Sequence, residues 1–285
     1  MKLITFSSSD NARPRVGVYR DDGVVDLSLD DKLPDTMLAF LEAGDGAMAA
    51  ARAAAGNAAD LIPLDAVTLQ APVTNPGKVL AIGLNYGDHI EESGMPKPKH
   101  QVWFNKQHNC INGPYDDIAL PAVSTMLDYE AELCVVIGKR CKDVSVEQAA
   151  EYVLGYTCIN DVTAIHLLFK YDAFPQWTRS KSFDGFGIVG PCIATLEDPS
   201  DLVVQTFVNG EERQNYPVSD MVFSPLELVS KISGDMTLEP GDIIACGTSM
   251  GVKTLKPDST VDVTIAGIGT LRNRYMPDKQ GQVKR

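Results

Sequence analysis

Leu127-Asp-Tyr-Glu-Ala-Glu-Leu-Cys-Val-Val-Ile-Gly138 is a segment whose first half is acidic and whose second half is purely apolar. Successive side chains of a β-strand point to opposite faces, so a strand here places Asp128, Glu130 and Glu132 on one face. Three like charges beside a core are costly unless a cation neutralises them, and Mg²⁺ commonly uses carboxylates together with water. The alternative is an edge strand whose acidic face is simply solvated, and this segment alone favours neither interpretation.

A third carboxylate favours the metal site. Gly155-Tyr-Thr-Cys-Ile-Asn-Asp161 is a second strand-like run, and it ends in Asp161. A strand with this pattern can bring Asp161 to the same place as Glu130 and Glu132. Lys181 follows further along the chain, where the usual alternative is a lysine on the surface.

The segment Gly83-Leu-Asn-Tyr-Gly-Asp-His-Ile-Glu-Glu-Ser-Gly94 carries one of only four histidines in the chain. His89 and Glu92 are three residues apart and share a face in a helical turn. A carboxylate beside an imidazole fixes its tautomer and raises its basicity, as a general base requires. The alternative is a solvent-facing helix start capped by Asp88. The glycines on both sides would let the segment move as a lid.

The remaining pattern predicts an α+β, mainly β fold, because strand patterns outnumber helix patterns and regular βαβ alternation is absent. Residues 1–70 are predicted to form a small N-terminal α/β module, with strands at 2–6 and 15–19 and a helical pair on the surface within 36–59. Residues 71–285 form the second domain, with a frayed end from Asp278. Its predicted strands are 78–82, 101–105, 117–120, 128–137, 153–160, 187–194, 201–208, 242–246 and 260–265, and its helices are 145–153 and 224–233.

Composition excludes several classes of function. The net charge is −13 and the pI about 4.7, which argue against a nucleic-acid partner and against docking on anionic membranes. No window reaches the roughly 18 apolar residues of a membrane helix, and the N-terminus does not resemble a secretory signal. The six cysteines show no zinc spacing, so we expect buried, reduced thiols in a cytoplasmic protein.

These segments together resemble the fumarylacetoacetate hydrolase family. The matching residues run through Ile82-Gly-Leu-Asn-Tyr, His89, Glu92, Phe104-Asn-Lys106, Ile111-Asn-Gly-Pro114, Asp128-Tyr-Glu-Ala-Glu-Leu, Asn160-Asp161, Lys181-Ser-Phe-Asp184, Gly190-Pro191, Val208-Asn-Gly210, Pro240-Gly-Asp-Ile-Ile and Cys246-Gly-Thr248. The resemblance covers about residues 78–272. It implies a mixed β-roll in the C-terminal domain and a homodimer.

The resemblance also implies roles for individual residues. Glu130, Glu132 and Asp161 would bind Mg²⁺ or Mn²⁺. His89 with Glu92 would be the base, and Lys181 a charged group near the metal. Lys106, Gly247 and Thr248 would contact a small dicarbonyl or 2-oxo acid substrate.

The chain departs from the family at the positions that bind substrate. Members acting on small 2-oxo acids follow Asn-Asp with Ser-Ala-Arg and then a Gln, whereas Ile165 and Leu168 occupy the Arg and Gln positions here. We therefore expect a bulkier and less acidic substrate than oxaloacetate, with Lys253 or Arg179 as a cation that could replace the arginine.

The leading hypothesis for the reaction is metal-dependent hydrolysis of a C–C bond in a β-diketone or acylpyruvate-like compound. His89 would activate the water, and the metal and Lys181 would stabilise the departing enolate. The alternatives are a decarboxylase, a tautomerase or isomerase of a 2-oxo acid, and a non-catalytic metal-binding relative.

Overall fold

The computed structural model describes residues 1–57, 60–171 and 173–276. Within these ranges the chain forms sixteen strands in two sheets and seven α-helices. The strands are Lys2–Ser8 (β1), Arg15–Arg20 (β2), Gly23–Asp26 (β3), Val67–Gln70 (β4), Val79–Gly83 (β5), Val102–Lys106 (β6), Ile111–Asn112 (β7), Asp117–Ala119 (β8), Ala131–Ile137 (β9), Val153–Asp161 (β10), Gly187–Ala194 (β11), Val203–Val208 (β12), Glu211–Pro217 (β13), Ile243–Ala245 (β14), Thr260–Ile265 (β15) and Gly269–Met276 (β16). The helices are Met37–Glu42 (α1), Gly44–Asn57 (α2), Gly87–Ser93 (α3), Val146–Ala149 (α4), Ile165–Leu168 (α5), Trp177–Lys181 (α6) and Pro225–Asp235 (α7).

The larger sheet has eleven strands, nine of them in the order β3-β2-β1-β11-β10-β9-β14-β5-β6. Strand β9 lies in the middle, and every one of its residues is buried. Leu133 and Val135 pack into one core cluster, while Cys134 and Val136 pack into the other on the opposite face. A strand that is buried on both faces must be apolar throughout, which explains the run after Glu132.

The second sheet has the order β13-β12-β15-β16-β8 and packs on one face of the larger sheet. Its inward residues alternate along the strands, as Val261, Val263 and Ile265 do in β15. Helices α1 and α2 cover the other face of the larger sheet through apolar side chains that include Phe40 and Ala51. The β9–β10 pair is therefore enclosed between two layers.

The fold class was predicted correctly. The chain is mainly β, and strands β11 and β15 have the predicted bounds. Strand β9 is shorter than predicted, because it begins at Ala131 rather than Asp128. Strands β4, β7, β13 and β16 were missed.

The N-terminal strands extend the larger sheet through pairing of β1 with β11, at Lys2 with Ala194. The helices predicted within 36–59 are α1 and α2, except that residues 58–59 lie outside the described part of the chain. The predicted fraying from Asp278 also lies outside it. The domain boundary near residue 70 stays a prediction.

All six cysteines are buried and free, as expected for reduced thiols. No helix in the described ranges has the length and apolar character needed to cross a membrane.

Candidate metal centre

Three carboxylates meet where strands β9 and β10 run side by side. The antiparallel register pairs Glu132 with Ile159 and Ala131 with Asn160, so Asp161 lies opposite Glu130. The Asp161 N–H donates to the Glu130 carbonyl oxygen at 2.8 Å. One oxygen of each of Glu130, Glu132 and Asp161 lies within 4.8 Å of the others. The structure thus brings together the three residues predicted as metal ligands.

Asp128 is not one of the three clustered carboxylates. The backbone at Asp128 forms isolated bridges to Thr163 and Thr254 before β9 begins. Its carboxylate accepts a hydrogen bond from the Thr254 hydroxyl at 2.7 Å. The bridge to Thr163 keeps the register of β9 with β10, so the strand face shared by Asp128, Glu130 and Glu132 stays a prediction, and of these three only the two glutamates belong to the cluster.

Lys181 lies inside the carboxylate cluster and is completely buried. Its Nζ atom is 2.8 Å from Asp161 Oδ2 and 2.8 Å from Glu130 Oε1, and it donates to Thr163 Oγ1 at 2.7 Å. Burial alone would lower the pKa of Lys181, but Asp161 and Glu130 raise it above its ordinary value. The ammonium group is therefore held charged beside the candidate ligands.

Lys106 is also buried, and it holds Asp161 from the other side. Its Nζ atom lies 2.5 Å from Asp161 Oδ1 and donates to the backbone carbonyls of Lys181 and Phe186. An ammonium group has three N–H donors, and protein oxygens accept all of them. This geometry makes Lys106 a support for Asp161 and gives no backing to its predicted contact with substrate.

The pKa values of two buried acids, Glu132 and Asp161, shift in opposite directions. Burial raises the pKa of Glu132 well above its usual range, and the nearby charges of Asp161 and Glu130 raise it further. Burial would also raise the pKa of Asp161, but Lys106 and Lys181 together lower it below its ordinary value. The charge of Lys181 lowers the pKa of Glu132 only in part, and among the described residues no ammonium group forms an ion pair with it.

A divalent cation fits this donor set. Carboxylate oxygens are the ligands that Mg²⁺ and Mn²⁺ prefer, and a 4.8 Å spread lets all three reach one ion. A buried carboxyl group with a raised pKa is stabilised in its ionised form by such an ion. Glu130, Glu132 and Asp161 are the residues that would hold it.

Gly247 and Thr248 follow strand β14 and lie beside Glu132. The Gly247 N–H donates to Glu132 Oε2 at 2.7 Å. Gly247 has a φ of +95°, and a Cβ atom there would lie 2.9 Å from Asn85 Cβ, so only glycine fits. Thr248 is buried and accepts a hydrogen bond from the side chain of Gln214.

His89 and Glu92 lie on helix α3, as predicted. His89 Nδ1 is 3.8 Å from Glu92 Oε2, and about a quarter of the His89 side chain is exposed. Gly94 ends the helix in the left-handed conformation, with a φ of +68°. Among the described residues, no hydrogen bond joins this pair to the carboxylate cluster, so its role as the base stays a prediction.

Helix α5 carries the two residues that stand where the family pattern has Arg and Gln. Ile165 begins the helix and is partly buried, while Leu168 ends it and is buried. The backbone carbonyl of Leu168 accepts from the Gln176 N–H at 2.8 Å. Both positions are apolar, so neither can bind a carboxylate group of a substrate.

Sequence reasoning missed three buried polar side chains around the cluster: Thr163, Gln214 and Tyr216. Thr163 Oγ1 donates to Glu130 Oε1 at 2.7 Å, and its position two residues after Asp161 could have suggested it. Gln214 and Tyr216 belong to strand β13 of the second sheet. No local motif marks them, since only the packing of the two sheets brings them to the site.

Comparison with known proteins identifies the family. The family model for the C-terminal domain of fumarylacetoacetate hydrolase matches residues 78–275. A mitochondrial oxaloacetate tautomerase of Xenopus laevis is 38% identical over 286 residues, which are 96% of this chain and 89% of that protein.

Two solved structures cover 98% of this chain and 100% of their own. The first, a 5-carboxymethyl-2-hydroxymuconate delta-isomerase from Mycobacterium smegmatis, is 36% identical with a TM-score of 0.79. The second, a maleylpyruvate hydrolase from Sphingobium sp. SYK-6 in complex with manganese(II) and pyruvate, is 29% identical with a TM-score of 0.83. The chain belongs to the fumarylacetoacetate hydrolase family.

Proposed function

We propose that this chain is a divalent-metal-dependent enzyme that interconverts the keto and enol forms, or the double-bond isomers, of a small dicarbonyl or 2-oxo acid. The observation that carries the proposal is the buried ammonium group of Lys181, 2.8 Å from both Glu130 and Asp161. A fixed positive charge beside a metal-binding carboxylate cluster suits a reaction that passes through an enolate. The full-length similarity to an oxaloacetate tautomerase supports the same class of reaction.

Each residue then has a defined task. Glu130, Glu132 and Asp161 would hold the metal, which when bound supplies a Lewis acid for a substrate carbonyl. Lys181 offsets the negative charge of the enolate through its ammonium charge, while Asp161, Glu130 and Thr163 accept its three N–H donors. His89 takes the proton from carbon at Nε2, while Glu92, 3.8 Å from Nδ1, favours the imidazolium ion that results.

The substrate we propose is bulkier and less acidic than oxaloacetate. Ile165 and Leu168 offer no hydrogen-bond donor to a second carboxylate group. An unpaired carboxylate against apolar side chains costs binding free energy, because nothing there replaces its water. We therefore expect a higher kcat/KM for acylpyruvates or neutral β-diketones than for oxaloacetate.

Hydrolysis of a C–C bond is the second candidate, for which the His89–Glu92 pair would also supply the base. The same imidazole that accepts a proton from carbon can accept one from water, and hydroxide attack on a carbonyl group would release an enolate near Lys181. The maleylpyruvate hydrolase with manganese and pyruvate is a structural relative with this activity in its name.

The test is the loss of enol absorbance across a panel of oxaloacetate, acylpyruvates and neutral β-diketones, with Mg²⁺, Mn²⁺ or EDTA, in ¹⁸O-labelled water. Metal-dependent loss without new products supports a tautomerase. Two products, one carrying ¹⁸O in a carboxylate group, would favour hydrolysis, and release of CO₂ would favour decarboxylation. No turnover by a protein that binds metal would refute the enzymatic proposal.

A matched pair of variants tests whether activity depends on Glu130 of the cluster and not on the nearby Asp128. Glu130→Gln removes a proposed metal ligand, and we expect it to abolish metal-dependent turnover. Asp128→Asn changes a carboxylate that pairs with Thr254 instead, and we expect most of the activity to remain. Equal loss in both variants would contradict the assignment of Glu130.

We also propose that the protein is a cytoplasmic homodimer. Size-exclusion chromatography with light scattering tests the assembly, and a monomer at micromolar concentration would contradict it. Fractionation of cells that produce the protein tests the location.

A further inference from the structure

The strongest unassigned feature is the buried side chain of Gln214, which strand β13 inserts between the metal centre and the loop after β14. Its Oε1 atom accepts from the Ala131 N–H at 3.3 Å and from the Thr206 hydroxyl at 2.9 Å. Its Nε2 atom donates to Thr248 Oγ1 at 2.9 Å and to the Ser249 carbonyl at 3.0 Å. The oxygen and the nitrogen of this amide group therefore each have two hydrogen-bond partners in the protein.

The orientation of this amide is fixed by its neighbours. The Ala131 N–H can only donate, so it must face the amide oxygen. The Ser249 carbonyl can only accept, so it must face the amide nitrogen. Rotating the amide by half a turn would place its NH₂ group against the Ala131 N–H, a donor against a donor. It would also place its oxygen against the Ser249 carbonyl, an acceptor against an acceptor.

This orientation determines in which hydrogen bond the Thr248 hydroxyl group accepts and in which direction it can donate. Since Gln214 donates to Thr248 Oγ1, the hydroxyl proton of Thr248 must point elsewhere. In the part of the chain that the structure describes, its one other hydrogen-bonding neighbour is Tyr216 Oη, at 3.4 Å. That distance is long for a bond between two hydroxyl groups, which is ordinarily 2.5–3.0 Å. Tyr216 itself donates to the Ala131 carbonyl.

Thr248 lies beside the metal centre. The preceding residue, Gly247, donates its N–H to Glu132 at 2.7 Å. The Thr248 side chain is buried, and in the described part of the chain its hydroxyl proton has only the long 3.4 Å contact to Tyr216 Oη as an acceptor. A hydroxyl donor in such a place is suited to an anionic ligand oxygen.

We propose that Gln214 is a positioning residue that holds the Thr248 hydroxyl as a hydrogen-bond donor to an anionic oxygen of the substrate. The inference rests on the proposed function, since it takes a carboxylate or enolate oxygen as the acceptor. Thr248 touches the substrate, and Gln214 acts through Thr248.

A purely structural role for Gln214 makes a different prediction. Ala131 lies between the ligands Glu130 and Glu132, and its backbone N–H and carbonyl are held by Gln214 and Tyr216. If Gln214 mattered only through Ala131, its loss would disturb the spacing of the two glutamates. Metal affinity would then fall.

The experiment is a double-mutant cycle on the full-length protein loaded with Mn²⁺. The variants are Gln214→Met, Thr248→Val and the combination of both. Calorimetry gives the dissociation constants for Mn²⁺ and for oxalate, a planar dianion with the shape of a 2-oxo acid enolate. Gln205→Met is the matched control, because Gln205 lies in the same sheet and its side chain bonds, within the described residues, only the exposed Glu212.

We expect each single change to weaken oxalate binding by about tenfold or more, the effect of losing one hydrogen bond to a charged group. The double variant should be no weaker than either single variant, and the Mn²⁺ dissociation constant should change less than about threefold. Thr248→Ser, which keeps the hydroxyl group, should bind oxalate nearly as the native protein does. If Gln214→Met does not fold, Gln214→Asn replaces it, since the shorter amide cannot reach both Ala131 and Thr248.

Independent, multiplying effects of the two changes would overturn the proposal. A loss of Mn²⁺ affinity in Gln214→Met that accounts for the weaker oxalate binding would also overturn it, in favour of the structural role. Failure to turn over any substrate, with oxalate binding intact, would refute the proposed function while the cycle still decides the role of Gln214. Failure of the native, Mn²⁺-loaded protein to bind oxalate would overturn both.

Discussion

Replacing Lys106 by methionine distinguishes a support for Asp161 from a contact to substrate. Methionine keeps most of the length of the side chain and removes the charge. The change deletes the ion pair to Asp161 Oδ1 at 2.5 Å and leaves the carbonyls of Lys181 and Phe186 without this donor. Every group involved is buried, so water cannot replace the lost contacts.

The expected cost is large. Breaking a buried ion pair by removing one partner costs about 3–5 kcal/mol, because the remaining charge is left uncompensated. Lys181 still bonds Asp161 Oδ2 at 2.8 Å, so we expect a loss of about 3 kcal/mol of unfolding free energy in the metal-free protein. Bound metal stabilises the same carboxylate, so the loss should be smaller with saturating Mg²⁺. The affinity for Mn²⁺ should rise, because one nearby positive charge is gone.

Urea unfolding followed by circular dichroism, in EDTA and in Mg²⁺, measures both free energies. Lys139→Met is the control: Lys139 pairs with Asp45 at 3.0 Å on the surface, and we expect a change of about 0–1 kcal/mol. A Lys106→Met protein that keeps native stability within about 1 kcal/mol but has a strongly raised KM would refute the reasoning. It would restore Lys106 as a substrate contact.

Three further changes test the site. Glu132→Gln should raise the unfolding free energy of the metal-free protein and abolish the shift in Tm on adding Mg²⁺. In the native protein without metal, the raised pKa of Glu132 should make the unfolding free energy fall as the pH rises from the unfolded-state pKa of 4.5 through the higher folded-state pKa. An unfolding free energy that rises with pH in this range, measured by urea unfolding, would contradict this. Gly247→Ala should cost about 1–3 kcal/mol, because the φ of +95° and the 2.9 Å approach to Asn85 exclude a Cβ atom, and an unchanged Tm would show that the loop adapts. Glu92→Gln should lower kcat about 10²-fold or more with unchanged Mn²⁺ affinity if His89 is the base, and full activity would remove this pair from the reaction.

Much of the site could be predicted because its carboxylates lie in, or directly beside, strands with strong local patterns. The apolar run after Glu132 predicts a buried strand, and Asp161 ends a second one. Pairing of adjacent strands then brings the carboxylates together, and the structure shows this pairing. The pattern could not show that the carboxylate of Asp128 accepts from the Thr254 hydroxyl, because Thr254 lies far along the chain.

Lys106 shows the limit of inference from single positions. Its segment, Phe104-Asn-Lys106, looks the same whether the side chain faces a substrate or an aspartate. The outcome depends on β6 and β10 being held so that the Lys106 ammonium group meets Asp161 and two backbone carbonyls. Such a contact joins residues far apart in the chain, and no periodicity encodes it.

By itself, the sequence predicted the mainly β fold, the buried strands, the candidate metal-binding carboxylates and the helical turn that carries His89 and Glu92, because each depends on side-chain alternation or spacing within short segments. The tertiary structure alone decided that two buried lysines share Asp161 and that Gln214 reaches Thr248 from the second sheet. These contacts arise from the packing of one sheet on the other. Their hydrogen bonds form only where burial excludes water and leaves each polar group to find a protein partner.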